Sequence, residues 1–77
     1  MTAIRTVDLR GLKCPTPIVR LNEAVRELND GEDLLAVAND RAFELDVKAW
    51  CRRTGHELLR FEADTEQLTA HVRKRAG

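Results

Sequence analysis

Apolar and polar residues follow two different periods in the first 38 residues of the chain. Residues 4–9 place Val7 and Leu9 on one face with polar side chains between them, which predicts a short strand. Residues 15–28 change to the spacing of an amphipathic helix. The apolar positions of this helix are Ile18, Leu21, Ala24, Val25 and Leu28. Residues 33–38 form an almost continuous apolar run, which predicts a central strand covered on at least one face.

A second helix is predicted after this apolar run. Asn39 or Asp40 is a suitable N-cap for it, because short polar side chains accept hydrogen bonds from the free N–H groups of a first turn. Gly55 is well placed to end it. The apolar stripe of this helix comprises Phe43, Val47, Trp50 and Cys51.

Two further strands are predicted in the last part of the chain. Residues 57–62 read as a strand with Leu59 and Phe61 on one face, residues 64–66 as a turn, and residues 67–73 as the last strand. We expect the tail at residues 74–77 to be frayed.

The order β-α-β-α-β-β predicts an α/β two-layer sandwich with two helices on one face of a four-stranded mixed sheet. The first β-α-β unit should make its two strands parallel, so that both helices begin at the same edge of the sheet. Cys14 and the loop at residues 39–41 are then neighbours at this edge. Sites in open α/β sheets form at the carboxyl ends of parallel strands.

Length and composition predict one small folded domain spanning residues 1–77, with its core at about residues 4–73. Thirteen basic and thirteen acidic residues cancel, which argues against a general nucleic-acid binder. No apolar run approaches the ~20 residues of a membrane helix. The first residues lack the apolar stretch of a signal peptide. Two cysteines without an export signal predict free thiols in the cytoplasm.

Cys14 is the candidate reactive residue, because it lies where a strand stops and a helix starts. Pro15 and Pro17 follow it, and proline is well tolerated in a first helical turn. As the N-cap residue, Cys14 would face unpaired N–H groups and the positive end of the helix dipole, which favour the reactive thiolate. The alternative is a small buried cysteine, with Gly11 and the prolines acting as turn residues. Local sequence leaves both interpretations open.

Charged residues near Cys14 extend the same hypothesis. Arg10 and Lys13 are adjacent in sequence and Arg41 is adjacent by topology, so together they could lower the pKa of the thiol. For each of them the alternative is an ordinary solvated surface residue.

The sequence gives little support for a hydrolase with a catalytic histidine or for a metal site. His56 and His71 are predicted away from the edge that holds Cys14, so a Cys-His hydrolase lacks its general base. The spacing of the two cysteines and two histidines matches no zinc finger or ribbon, and we predict no metal site. Cys51 lies about 15 Å from the start of its helix, so we expect it to pack in the core beside Trp50, the main aromatic anchor.

Residues 8–73 resemble the TusA/SirA-like sulfur-carrier family. The most specific match is the Gly-x-x-Cys-Pro-x-Pro motif, present as Gly11, Cys14, Pro15 and Pro17, and residues 50–59 form a weaker second match. The resemblance implies a sulfurtransferase that carries a persulfide on Cys14 and needs no other cofactor. It implies a cysteine desulfurase or rhodanese-type donor and an acceptor protein, for example in tRNA thiolation or sulfur oxidation.

One position departs from the family pattern, which often has Asp-Pro at the start of the second helix. Here Asp40 is followed by Arg41, so the cap is kept and a cation replaces a rigid proline near Cys14. Two other functions stay open: a non-catalytic regulatory or interaction module, and RNA binding by analogy of fold. The ionisable thiol favours sulfur transfer, whereas zero net charge and few aromatic residues count against RNA binding.

Overall fold

The computed structural model describes residues 4–75, and six elements follow one another in the predicted order. The elements are β1 (Arg5–Asp8), α1 (Thr16–Arg26), β2 (Asp33–Ala38), α2 (Phe43–Thr54), β3 (Glu57–Ala63) and β4 (Leu68–Arg73). The strands lie in the order β1-β2-β4-β3, with β1 parallel to β2 and β4 antiparallel to both of its neighbours. The predicted four-stranded mixed sheet with two helices is therefore confirmed as an α+β fold.

One hydrophobic core lies between the sheet and the helices. Alternate residues of β2 and β4 are buried, which is the pattern of strands covered on one face. Trp50 is 2% exposed and is among the largest fully buried side chains, so its predicted role as the aromatic anchor is confirmed. Within residues 4–75, no helix is long and apolar enough to cross a membrane.

Helix α1 is shorter than the predicted residues 15–28, because its last turn tightens. Glu27 donates its N–H to the Ala24 carbonyl and Leu28 donates to the Val25 carbonyl, at 3.1 and 3.0 Å. Such i to i−3 bonds are common where a helix ends. Leu28 nevertheless stays in the core, which is why the apolar periodicity extended the predicted helix to this residue.

The start of α2 corrects the predicted cap. The N-cap residue is Ala42, not Asn39 or Asp40, because a turn precedes the helix. In this turn, Phe43 donates its N–H to the Asp40 carbonyl at 2.9 Å. The Asp40 side chain accepts the Ala42 N–H at 3.4 Å within this turn. Gly55 ends α2 as predicted.

Strand β3 corrects a second prediction. Leu58, and not Leu59, packs against the core with Phe61. The register with β4 shifts between Leu58 and Arg60, so the strand contains a bulge. A bulge adds one residue to one strand and changes which side chains share a face, and strict alternation cannot reveal it.

Lys74 is part of the fold, whereas the sequence placed it in a frayed tail. Its N–H donates to the Glu32 carbonyl and its own carbonyl accepts the Gly31 N–H, at 2.9 and 2.8 Å. Its Nζ also donates to the Leu28 carbonyl at 2.7 Å. These bonds tie the end of β4 to the turn before β2, and the last two predicted tail residues lie outside the described part of the chain.

Candidate functional site

The loop that carries Cys14 is fastened to the carboxyl end of β2. The Gly11 N–H donates to Asn39 Oδ1 at 2.9 Å, and the Cys14 N–H donates to Asp40 Oδ2 at 2.8 Å. Cys14 and the loop after β2 are thus neighbours, as the topology predicted. The side chains of Asn39 and Asp40 hold the cysteine loop in place, whereas the sequence assigned them to the cap of α2.

Gly11 determines the backbone conformation of this loop. Its φ is +85°, which is the left-handed region that other residues rarely adopt. A Cβ built on Gly11 would meet no atom within 4 Å, so the requirement for glycine is conformational and not steric. Gly11 therefore shapes the approach to Cys14 through its backbone.

The first turn of α1 corrects the predicted role of Cys14 as the N-cap. The helix begins at Thr16 with Pro15 as its N-cap, so Cys14 lies one residue outside it, joined to Pro15 by a cis peptide bond. Thr16 donates its N–H to the Lys13 carbonyl, and the two residues after Pro17 donate to the Pro15 carbonyl. The prolines have no N–H to offer. No free N–H group of residues 14–19 therefore remains to stabilise a thiolate.

The electrostatic environment of Cys14 is the opposite of the predicted one. The side chain is exposed, and the pKa of its thiol is raised. The main cause is a hydrogen bond with the Asp46 side chain, followed by partial removal from water and by the negative charges of Asp46 and Asp40. A carboxylate beside a thiol disfavours the thiolate. The prediction of an acidic thiol at a helix start is thus wrong for the free protein.

Arg10 forms an ion pair with Asp8 and not with Cys14. Its Nε donates to Asp8 Oδ1 at 2.9 Å and its Nη2 donates to Asp8 Oδ2 at 3.0 Å. These bonds hold the pKa of Asp8 at about 2. The predicted contribution of Arg10 to the thiol is replaced by this bidentate ion pair.

Lys13 and Arg41 lie on the rim of the site. Both are exposed, and both line an open cavity of about 390 Å³ together with Gly11 and Asp40. The pKa of Asp40 is lowered, first by the backbone N–H of Cys14 and, more weakly, by the charge of Lys13. The rim therefore offers two cations to a partner.

The second thiol, on Cys51, is far less exposed to solvent than that of Cys14. Cys51 is 6% exposed within the core, and burial raises the pKa of its thiol to about 11. This confirms the prediction that Cys51 packs in the core beside Trp50.

The two histidines lie away from Cys14. His56 follows the end of α2, where its Nδ1 accepts the Arg75 N–H at 3.2 Å. His71 lies on β4 and contacts Asp33, Nε2 to Oδ2, at 3.0 Å. Among residues 4–75, no group of three or more His, Cys, Asp or Glu side chains is placed to hold a metal ion.

Asp46 is the site residue that sequence reasoning missed. It lies in the first turn of α2, and this turn was predicted to begin at the same sheet edge as Cys14. An acidic residue in that turn was therefore a usable signal. The sequence interpretation placed only cations around the thiol.

Comparison with known proteins agrees with the motif. The family model for sulfurtransferase TusA matches residues 5–74. Two curated relatives are named as sulfur carrier proteins. One, from Aquifex aeolicus (strain VF5), is 36% identical over 70 residues, which cover 91% of this chain and 36% of the relative. The other, YrkF of Bacillus subtilis (strain 168), is 40% identical over 74 residues, which cover 96% of this chain and 40% of the relative.

The chain thus spans about two fifths of the length of these relatives. The family match, in contrast, extends over nearly all of the chain and includes every described strand and helix. On this match, the chain belongs to the sulfurtransferase TusA family.

Proposed function

We propose that the protein is a sulfur carrier that holds a persulfide on Cys14. A cysteine desulfurase or a rhodanese-type protein supplies the sulfur, and a second protein accepts it, in tRNA thiolation or another route of sulfur trafficking. The observation that carries the proposal is the exposed Cys14 at the open edge of the sheet, inside the family motif. The other thiol is buried and cannot meet a partner protein without unfolding.

The proposed reaction moves one sulfur atom without a net change of oxidation state. The Cys14 thiolate attacks the outer sulfur of the donor persulfide, and a new sulfur–sulfur bond forms on Cys14. The sulfur–sulfur bond of the donor breaks, and the donor cysteine leaves as a thiolate that takes up the proton lost by Cys14. Transfer to the acceptor repeats these steps with Cys14 as the leaving group.

A raised thiol pKa is compatible with this chemistry. A lower thiolate fraction slows the attack, but the intrinsic nucleophilicity of a thiolate increases with its pKa. The raised pKa disfavours the thiolate in the free carrier, which limits its reaction with oxidants. A free thiol also persists in a reducing compartment such as the cytoplasm.

The loop geometry supports transfer between proteins. The Cys14 backbone is held by Asp40, Gly11 allows the left-handed turn before the cysteine, and Pro15 and Pro17 restrict the chain after it. The sulfur is thereby presented at a defined position while its side chain stays exposed. Lys13 and Arg41 are then available for contacts with the donor or the acceptor.

Mass spectrometry tests the proposal directly. Incubation with a cysteine desulfurase and cysteine should add the mass of one sulfur atom to the protein. Cys14→Ser should abolish this adduct, because it removes the exposed thiol. Cys51→Ala is the matched control and should keep the adduct.

Two outcomes would contradict the proposal. An adduct that persists in Cys14→Ser and disappears in Cys51→Ala would move the chemistry to the buried thiol. A wild-type protein that takes up no sulfur from a desulfurase or from a rhodanese-type donor would favour the non-catalytic interaction module.

A further inference from the structure

Two cations flank the hydrogen bond that fastens the cysteine loop. The Cys14 N–H donates to Asp40 Oδ2 at 2.8 Å, so this bond joins the loop before α1 to the loop before α2. Lys13 directly precedes Cys14, and Arg41 directly follows Asp40. Both cationic side chains are exposed and line one open cavity of about 390 Å³. Each of the two joined loops therefore contributes one cation to the cavity.

The carboxylate in this cavity does not pair with the two cations. In the described part of the chain, neither Lys13 nor Arg41 forms an ion pair. Asp40 also lines the cavity, but its two oxygens accept the N–H groups of Cys14 and Ala42, at 2.8 and 3.4 Å. The carboxylate thus holds the loops, and the two cations remain for a ligand from outside.

The β3–β4 turn brings two further carboxylates near Arg41 without pairing with it. Asp64 lines a smaller cavity with Arg41, but its Oδ1 accepts the N–H groups of Glu66 and Gln67, both at 2.8 Å. Glu66 lines the same small cavity, and no ion pair joins it to Arg41 among the described residues. Arg41 therefore lies between the cysteine loop and this turn without a paired carboxylate.

The basic residues of the strands, in contrast, are all paired. These pairs are Arg5 with Glu27, Arg60 with Glu62, and Arg73 with Asp33. The chain as a whole carries no net charge. The unpaired cations at the edge that holds Cys14 are therefore a local feature and not the result of a generally basic protein.

An exposed apolar side chain lies at the same edge of the sheet. Leu45 is 76% exposed, the largest exposed fraction among the large apolar side chains of the described residues. It belongs to the first turn of α2 and follows Arg41 by four residues. The edge therefore offers a partner protein an apolar contact close to two charges.

We propose that Lys13 and Arg41 bind an acidic segment of the protein that donates sulfur to Cys14, with Leu45 as an apolar contact at its border. This proposal rests on the proposed carrier function and adds the chemistry of the donor surface. A carboxylate of the donor that enters the cavity pairs with cations from both loops. The fixed backbone of Cys14 then holds the thiol beside the docked segment.

Charge complementarity of this kind acts mainly on the rate of association. Opposite charges at the rim of an interface increase the rate at which two proteins meet, and salt reduces this effect. Sulfur transfer depends on such an encounter, because the persulfide of the donor must reach Cys14. The charges of Lys13 and Arg41 should therefore control the loading rate and its dependence on salt.

Desulfurase-dependent loading of Cys14, followed by mass spectrometry at low protein concentration, tests the docking. The double variant Lys13→Glu/Arg41→Glu should load about tenfold more slowly than the unmutated protein at low salt. A high salt concentration should reduce this difference to about twofold. Lys13→Arg/Arg41→Lys keeps both charges and should load at nearly the rate of the unmutated protein.

Arg20→Glu/Arg52→Glu is the matched control for charge. It makes the same change of net charge on exposed residues of α1 and α2. Neither residue lines the cavity, and neither forms an ion pair in the part of the chain that the structure describes. The loading rate of this control should fall by no more than about twofold.

Leu45→Ser tests the apolar contact. It should slow loading about threefold at low and at high salt, because salt does not screen an apolar contact. Ile4→Ser is its matched control, since Ile4 is 48% exposed at the opposite end of β1. Equal loading rates in these two variants would remove Leu45 from the proposed surface.

Binding without sulfur chemistry gives a second readout for the cations. An octapeptide of glutamate and aspartate with one central leucine should bind the Cys14→Ser protein at millimolar concentration. It should shift the backbone amide signals of Lys13 and Arg41 in the NMR spectrum of the isotope-labelled protein. The corresponding lysine peptide should leave these signals in place.

Three outcomes would overturn the proposal. They are equal loading rates in Lys13→Glu/Arg41→Glu and its matched control, a rate difference that does not respond to salt, and an acidic peptide that leaves the two amide signals unmoved. A protein that takes up no sulfur from any donor would instead contradict the carrier function. The peptide experiment is independent of sulfur uptake, so it separates the two failures.

Discussion

Cys14 combines an exposed side chain with a fixed backbone. Its N–H is bound by Asp40, and the nearby Gly11 N–H is bound by Asn39, so the loop cannot swing away from β2 without breaking both bonds. The carboxylates of Asp46 and Asp40 raise the pKa of the Cys14 thiol. At this scale Cys14 is an exposed thiol on a fixed backbone, and the pKa of this thiol is raised.

The pH dependence of Cys14 reactivity follows from the raised pKa of its thiol. In a Cys51→Ala background, the alkylation rate should rise with pH and reach its midpoint at a higher pH in the folded protein than in the same chain unfolded in urea. The reason is that the folded state favours the protonated thiol. This preference stabilises the fold below the pKa of the unfolded chain and is lost as the pH rises through the folded pKa.

Both midpoints are measured by alkylation with iodoacetamide that is quenched at set times and followed by mass spectrometry. A folded-state midpoint equal to or below that of the unfolded chain would show that Asp46 does not control the thiol. It would also restore the predicted activation by the helix start.

At the scale of elements, the site depends on the junctions between strands and helices. The β1–α1 loop turns at Gly11. At the start of α1, Pro15 and Pro17 have no N–H groups that would need a partner. In the β2–α2 loop, which ends where α2 starts at Phe43, the side chains of Asn39 and Asp40 accept hydrogen bonds from the β1–α1 loop. Each loop is therefore organised by the other, which makes the junction one structural unit.

Gly11→Ala tests this junction. Gly31 has a φ of +87° and equally free space around its Cα, so Gly31→Ala is a matched control outside the site. Both variants should lose about 1–2 kcal/mol of unfolding free energy, because alanine is strained in the left-handed region. Urea denaturation measures this loss. Only Gly11→Ala should also slow sulfur loading of Cys14, since only Gly11 positions the cysteine loop.

Equal loading rates in the two variants, measured under conditions where both are folded, would show that the backbone at Gly11 does not position the sulfur. Gly11 would then be an ordinary turn residue.

At the scale of the whole molecule, the face of the sheet opposite Cys51 and Trp50 carries its own polar network. Asp33 on β2 accepts hydrogen bonds from Arg73 on β4, at 2.7 Å to Nε, and contacts His71 at 3.0 Å. These two strands form the centre of the sheet. The hydrogen bond from Arg73 is the main reason why the pKa of Asp33 is lowered.

Acid should therefore weaken the fold through Asp33 and the other carboxylates whose pKa is lowered, including Asp8 at about 2. A lowered folded pKa contributes stability above the pKa of the unfolded chain, and this contribution is lost as the pH falls through the folded value. The unfolding free energy should fall between about pH 4 and pH 2.

Asp33→Asn should reduce the slope of this loss, whereas Asp30→Asn, at an exposed turn position, should leave it unchanged. Urea titrations at several pH values measure the slope. Parallel pH profiles for the wild type and Asp33→Asn would exclude Asp33 as a source of acid sensitivity.

Local sequence patterns were enough to predict the elements, their order and the loop that carries Cys14. These features depend on local periodicity and on a compact motif: alternation predicted the strands, helical spacing placed Trp50 and Cys51 in the core, and Gly11 with its prolines marked the loop of Cys14. Local patterns suffice because neighbouring residues on one face of an element share one environment.

Contacts between distant parts of the chain set the raised pKa of the Cys14 thiol, the start of α1 at Thr16 and the face of Leu58. Asp46 raises the pKa of the Cys14 thiol because two helices begin at one sheet edge, and Asp40 turns towards the cysteine loop instead of capping α2. The bulge in β3 arises from pairing with β4. Coulomb forces and strand register depend on distances in space, so residues far apart in the chain determine both.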